Sequence, residues 1–135
     1  MRIALCDDDE AQREKLKAAV DRHLVSRGYR PRYEEYSGGG PLVAEVAAGT
    51  DPFDLVFLDP PYACAAAEVL GLVVALRTRA ALSDDAIVVY EHASAANDEV
   101  EEAAKARDLS IAQRKKYGDT VVDVLRATAL HDAID

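Results

Sequence analysis

The residue types best placed to do chemistry are four aspartates. Asp7, Asp8 and Asp9 follow a short apolar run, Ile3-Ala4-Leu5-Cys6, and Asp59 ends a longer one, Phe53 to Leu58. Carboxylates gathered in one place repel one another. A hard cation such as Mg²⁺ relieves that repulsion, since it takes oxygen ligands and commonly uses one or two carboxylates. An aspartate beside such a metal can attack a phosphoryl donor, with the metal offsetting the developing charge. The plainer alternative makes Asp7 and Asp9 exposed residues of a loop or first helical turn, favoured by the helix dipole. The metal-site expectation names Asp7, Asp8 and Asp59.

These aspartates meet only if two parallel strands lie side by side. Arg2 to Cys6 reads as a first strand. Phe53 to Leu58, bounded by Asp51-Pro52 and Asp59-Pro60, suits a central strand buried on both faces. Between them the spacing predicts a helix over Glu10 to Arg27, with Leu16, Val20 and Leu24 inward and Gly28 as its stop. A second strand, Arg32 to Tyr36, follows. Ser37-Gly38-Gly39-Gly40-Pro41 is then a loop opening a short helix that ends near Gly49. Those glycines lack the G-x-G-x-x-G spacing of a phosphate cradle and follow the second strand, not the first.

Beyond Asp59 a long helix is expected from Ala65 to Ala81, its stripe being Val69, Leu70, Val73, Leu76 and Ala80. Ala86 to Tyr90 is a further buried strand. Asn97 is the expected N-cap of a helix over Asp98 to Arg107. Ser110 to Lys116 and Thr120 to Arg126 form a hairpin across Tyr117-Gly118-Asp119. Repeated β-α units closed by an antiparallel hairpin make a three-layer, doubly wound α/β domain with a mainly parallel sheet. Ligands of such sheets sit beyond the carboxyl ends of the strands, where strand order reverses. The aspartates would end there.

Composition narrows the function. The 135 residues fit one domain, residues 1–135, with 127–135 as a tail. A net charge of −9 weighs against nucleic acid, whose phosphates are met by Lys and Arg. Arg114-Lys115-Lys116, with Arg107 upstream, reads as a solvated face. No apolar run approaches the roughly 20 residues of a membrane span, and the start turns acidic too early for a signal peptide. Cys6 and Cys64 form neither a metal spacing nor a disulfide framework, so a cytoplasmic protein with reduced thiols is expected. His23 has no partner at ligand spacing and reads as a surface residue. Monomer and homodimer both remain open.

Two family resemblances meet at Asp59. Residues 1–59 resemble a response-regulator receiver domain of the kind attached to LytTR domains, through Ile3-Ala4-Leu5-Cys6-Asp7-Asp8-Asp9-Glu10 and Phe53-Asp54-Leu55-Val56-Phe57-Leu58-Asp59. That resemblance implies Mg²⁺ at Asp7 and Asp8, phosphorylation of Asp59, the Pro61 backbone carbonyl as a further ligand, and a sensor kinase as partner. Residues 54–126 resemble the carboxy-terminal half of RsmD-type methyltransferases of ribosomal RNA. Asp54-Leu55-Val56-Phe57-Leu58-Asp59-Pro60-Pro61-Tyr62, Val88-Val89-Tyr90-Glu91-His92 and Arg114-Lys115-Lys116-Tyr117-Gly118-Asp119-Thr120 carry it. There Asp59 and the Pro60 carbonyl would accept hydrogen bonds from an exocyclic amine, and Tyr62 would stack on the base.

The overlap in the third strand implies a hybrid, flavodoxin-like or Rossmann-like fold of strand order 2-1-3-4-6-5, with strand 6 antiparallel. The methyltransferase half lacks a glycine-rich turn after strand one. Cys6-Asp7-Asp8-Asp9 stands there, and these side chains would crowd S-adenosylmethionine and repel its carboxylate. The receiver half has Glu91 where a hydroxyl would bond phosphate. The leading expectation is therefore a domain with no efficient catalysis, a vestigial Mg²⁺ pocket and no S-adenosylmethionine. A working phosphoacceptor domain and an S-adenosylmethionine-dependent RNA guanine-N2 methyltransferase using Asp59, Pro60 and Tyr62 are the alternatives.

Overall fold

The computed structural model describes residues 1–38, 41–42, 51–61 and 63–126. Its elements are β1 (Arg2–Asp7), α1 (Glu10–Val25), β2 (Arg32–Tyr36), β3 (Phe53–Asp59), α2 (Ala66–Thr78), β4 (Leu82–Ala93), α3 (Asn97–Ala106), β5 (Ser110–Tyr117) and β6 (Thr120–Arg126). The six strands form one sheet in the order β2-β1-β3-β4-β6-β5. β1 to β4 pair in parallel, and β6 runs antiparallel to both β4 and β5. The expected topology is the observed one. Most of the short helix expected to end near Gly49, the glycines Gly39 and Gly40, and the tail from Ala127 lie outside the described residues.

The helices end in one way. Tyr29 N–H bonds the Leu24 carbonyl, Ala81 that of Leu76 and Leu109 that of Ala104. Each bond reaches back five residues over a residue of positive φ, namely Gly28, Ala80 and Asp108. This closure satisfies the last free carbonyls of a helix and favours glycine, because a side chain strains the left-handed backbone. Only Gly28 announces it in sequence. The long helix therefore stops at Thr78, and Ala80 is exposed in the turn instead of lying on the core stripe. Asn97 is likewise not the N-cap of α3. Ala96 takes that place, and Asn97 Oδ1 is buried without a hydrogen-bond partner.

Period-two alternation sends β residues to two faces. One face packs Ala4, Val56, Leu58, Val88, Tyr90 and Leu125 against α2 and α3. On the other face Ile3, Leu5, Leu55 and Phe57 meet Leu16, Val20 and Leu24 of α1. That second cluster stops at β3. Ile87, Val89, Val122 and Val124, further along the same face, belong to neither cluster and stay partly exposed. At the amino end, buried Arg2 ties β1 to β2 and β3: its guanidinium lies 4.1 Å from the Phe53 ring centre and its Nε donates to Glu34 at 2.9 Å.

Candidate functional site

The register of β1 and β3 is what builds the site. Asp7 is the residue opposite Asp59, the last pair of the ladder. Asp7 is only 8% exposed. Its Oδ1 accepts the Asp9 N–H at 2.9 Å, and Asp9 in turn caps α1 by accepting from Ala11 N–H at 2.9 Å. Short local bonds of this kind are what aspartate offers in a strand-to-helix turn. Asp8 is left exposed on the rim.

Asp59 is the perturbed group. Burial pushes its carboxyl up to about 7, helped by a hydrogen bond with Asp7 and by the charges of Glu91, Asp7 and Asp8. Two carboxyls at hydrogen-bond distance cannot both ionise cheaply, and a shared proton relieves them. Among the described residues no group of three or more His, Cys, Asp or Glu is arranged to hold a metal. The Pro61 carbonyl, expected as a metal ligand, accepts the Cys64 N–H at 3.0 Å.

Three openings converge on Asp59. On the α2 side a cavity of about 270 Å³ is lined by Asp8, Ser37, Gly38, Leu58, Val69 and Leu72 besides Asp59. At the mouth one of about 430 Å³ brings Asp7, Asp8, Asp9, Gln12 and Glu91 around it. On the α1 side a groove of about 450 Å³ runs from Asp59 over Phe57, Val89 and Val122. Pro60 and Pro61 border the first two. Tyr62 lies outside the described residues.

Beneath the two prolines sits a support that the residue pattern alone did not reveal. His92 and Asp123 are buried, 3% and 0% exposed, with His92 Nε2 2.6 Å from Asp123 Oδ2. His92 Nδ1 lies 2.9 Å from the Ala93 carbonyl. The two ring nitrogens thus face a carboxylate oxygen and a backbone carbonyl oxygen. Arg114 donates to both Asp123 oxygens, from Nε at 2.6 Å and Nη2 at 2.9 Å, and reaches Glu101 on α3. Arg114 is therefore not part of a solvated basic face. Glu99 of α3 accepts the Ala66 N–H at 3.0 Å and caps α2 from outside, since α2 has no side-chain cap of its own. A void of about 30 Å³, bounded by His92, Glu99, Pro60 and Pro61, separates this support from the site.

Known proteins give the site its context. The model of one family, described as Conserved hypothetical protein 95, matches residues 4–126. No curated protein matches the chain. A conserved hypothetical protein of Streptococcus pyogenes shares the fold with a TM-score of 0.52 at 20% identity, covering 92% of this chain and 84% of that one. Ribosomal protein L11 methylase of Lactobacillus delbrueckii subsp. bulgaricus aligns with a TM-score of 0.54 at 14% identity, over 92% of this chain and 68% of its own.

These findings correct two expectations. One family model runs unbroken across the junction at residues 54–59, and no match supports a receiver segment, so the hybrid gives way to a single family. The expectation of Mg²⁺ without S-adenosylmethionine also fails, because the matched family is one of RsmD-like methyltransferases, whose cofactor is S-adenosylmethionine. Asp7, expected to crowd the cofactor, does not line the α2-side cavity. Its side chain folds back onto the Asp9 N–H and Asp59, and the 270 Å³ cavity stays open beside it.

Proposed function

The chain belongs to the Conserved hypothetical protein 95 family of RsmD-like methyltransferases, and from that premise we propose that it transfers a methyl group from S-adenosylmethionine to the nitrogen of a planar amine held at Asp59. The observation that carries this reading is the convergence of the three openings on the first residue of Asp59-Pro60-Pro61-Tyr62. Two free thiols, Cys6 and Cys64, support a cytoplasmic setting.

The residues on the α2 side fit the cofactor by charge and by shape of lining. A sulfonium and an ammonium are cations, and Asp8 and Asp59 face that cavity with carboxyl groups. Leu58, Val69 and Leu72 offer an apolar wall for an adenine ring, and Asp8 and Ser37 offer polar partners for ribose hydroxyls. When bound, S-adenosylmethionine supplies an electrophilic methyl and takes the carbon–sulfur bonding pair onto sulfur.

The protein's own part is to hold the amine and remove a proton. Asp59, as carboxylate, accepts a hydrogen bond from the amine N–H and so aims the nitrogen lone pair at the methyl carbon. The lone pair forms the new N–C bond, and the proton lost from nitrogen passes to Asp59. Glu91 adds negative charge at the mouth, which favours an amine gaining positive charge.

Asp59 can act only when ionised. Its carboxyl titrates near 7, so the ionised fraction falls about tenfold for each pH unit below that. Release of S-adenosylhomocysteine in the presence of an aromatic amine should therefore rise steeply from pH 5 to about pH 7 and level off above it. A pH-independent rate over that span, or no release at any pH, would contradict the assignment of Asp59.

A further inference from the structure

We infer that the methyl acceptor is a small aromatic amine without phosphate groups, its body lying in the groove between α1 and the partly exposed face of β3, β4 and β6. The inference rests on the methyl-transfer reading above and names the acceptor of that site.

The groove has the size and lining of a small-molecule site. Its volume, about 450 Å³, falls within the usual range for such pockets, which are mostly apolar with a few convergent polar groups. Its floor is Leu5, Leu16, Phe57, Val89 and Val122. The sheet part of that floor is the stretch where the cluster under α1 ends, so Val89 and Val122 have apolar surface to give. An aromatic body covering it gains about 25 cal/mol for each Å² removed from water.

The polar groups stand at one end. Asp7, Asp59 and Glu91 line the groove where it reaches the mouth. Arg13 and Lys15 also border it. The Arg13 guanidinium is engaged by the Asp7 carbonyl and by Glu35 at 3.5 Å, while Lys15 is exposed at the rim. The excess at the reacting end is thus negative. It complements an amine donating N–H and repels phosphate. A polynucleotide would bring many phosphates to a chain of net charge −9 whose mouth holds four further carboxyl groups from Asp7, Asp8, Asp9 and Glu91. Groove direction makes the same choice. An amine at Asp59 with its ring over Phe57, Val89 and Val122 uses both the apolar floor and the acidic end at once.

Naphthylamine is a suitable probe, being planar, apolar and fluorescent. The full chain is titrated with it, with S-adenosylmethionine and with a guanine-containing RNA hairpin, and the wild type is compared with Val122→Lys and Val122→Thr. The expected result is saturable naphthylamine binding, weakened at least tenfold by the lysine and less by threonine, with S-adenosylmethionine affinity held within about twofold. Circular dichroism of each variant confirms that it folds. Naphthylamine binding unchanged by Val122→Lys, or preference for the RNA hairpin, overturns the inference. So does a dimer in sedimentation that Val122→Lys splits, since a second copy would then occupy the face. S-adenosylmethionine binding without naphthylamine binding sinks the groove and leaves the methyl-transfer reading standing. Val122-dependent naphthylamine binding without S-adenosylmethionine binding upholds the groove and sinks that reading.

Discussion

Replacing Asp59 by asparagine is expected to cut methyl transfer by roughly a hundredfold or more while making the fold more stable at alkaline pH. The loss follows because asparagine cannot take the proton that the amine releases. The gain follows from linkage. A carboxyl whose folded value is about 7, against 3.8 as the ordinary value, is held in its charged form at a cost to the folded state whenever the pH exceeds both. The full shift would correspond to about 4 kcal/mol. Asp59 is only partly buried, so solvent screening reduces the expectation to about 1–2 kcal/mol. Wild-type stability from this group is greatest below pH 4, where the carboxyl is protonated in both states, and is lost as the pH climbs from about 4 to about 7. The substituted asparagine mimics the protonated form throughout. Urea unfolding should therefore show the variant ahead at pH 8 and level with wild type near pH 4. Equal stability at both pH values would mean that the Asp7–Asp59 pair carries no strain.

Removing the Asp123 carboxylate is expected to cost about 3–5 kcal/mol. Asp123 is fully buried and satisfies both His92 and Arg114. Asp123→Ala leaves a buried imidazole and a guanidinium without their acceptor, and the penalty is mainly that of the orphaned groups. The network joins β4, β5, β6 and α3, so its loss should also loosen the support under Pro60 and Pro61. Domains of this size have about 5–15 kcal/mol in hand, and the variant should unfold at a much lower urea concentration. A loss under about 1 kcal/mol would show that the network is formed at no cost to separate.

Much of the fold was legible because its signals are local. Strand order followed from alternating β and α segments with a terminal hairpin, and Asp7 opposite Asp59 followed from two parallel strands ending in acid. The helix ends were less legible, because Ala80 and Asp108 adopt a left-handed turn that their residue types do not advertise. The site was half legible. Asp7 and Asp59 were expected to meet and are opposite each other in the register, whereas the Mg²⁺ expected with them gave way to the S-adenosylmethionine of the matched family. The receiver resemblance arose because acid at the ends of two neighbouring strands is common to both chemistries, and a short pattern cannot tell them apart. The buried network carried a usable signal. Val121, Asp123 and Leu125 share the inward phase of β6, and an acid in that phase requires a partner. Counting back across the turn at Gly118-Asp119 reaches Arg114, which pairs with Asp123 in the register.

Methyl transfer at Asp59 requires that the acid-lined opening beside α2 receive S-adenosylmethionine. Calorimetric titration of the full chain with S-adenosylmethionine at pH 8 tests this without need of an acceptor. The expected result is saturable one-to-one binding in the micromolar range, weakened at least tenfold by Leu72→Arg, which sets a cation against the ligand's own. A folded protein that gives no saturable heat up to millimolar ligand would contradict it.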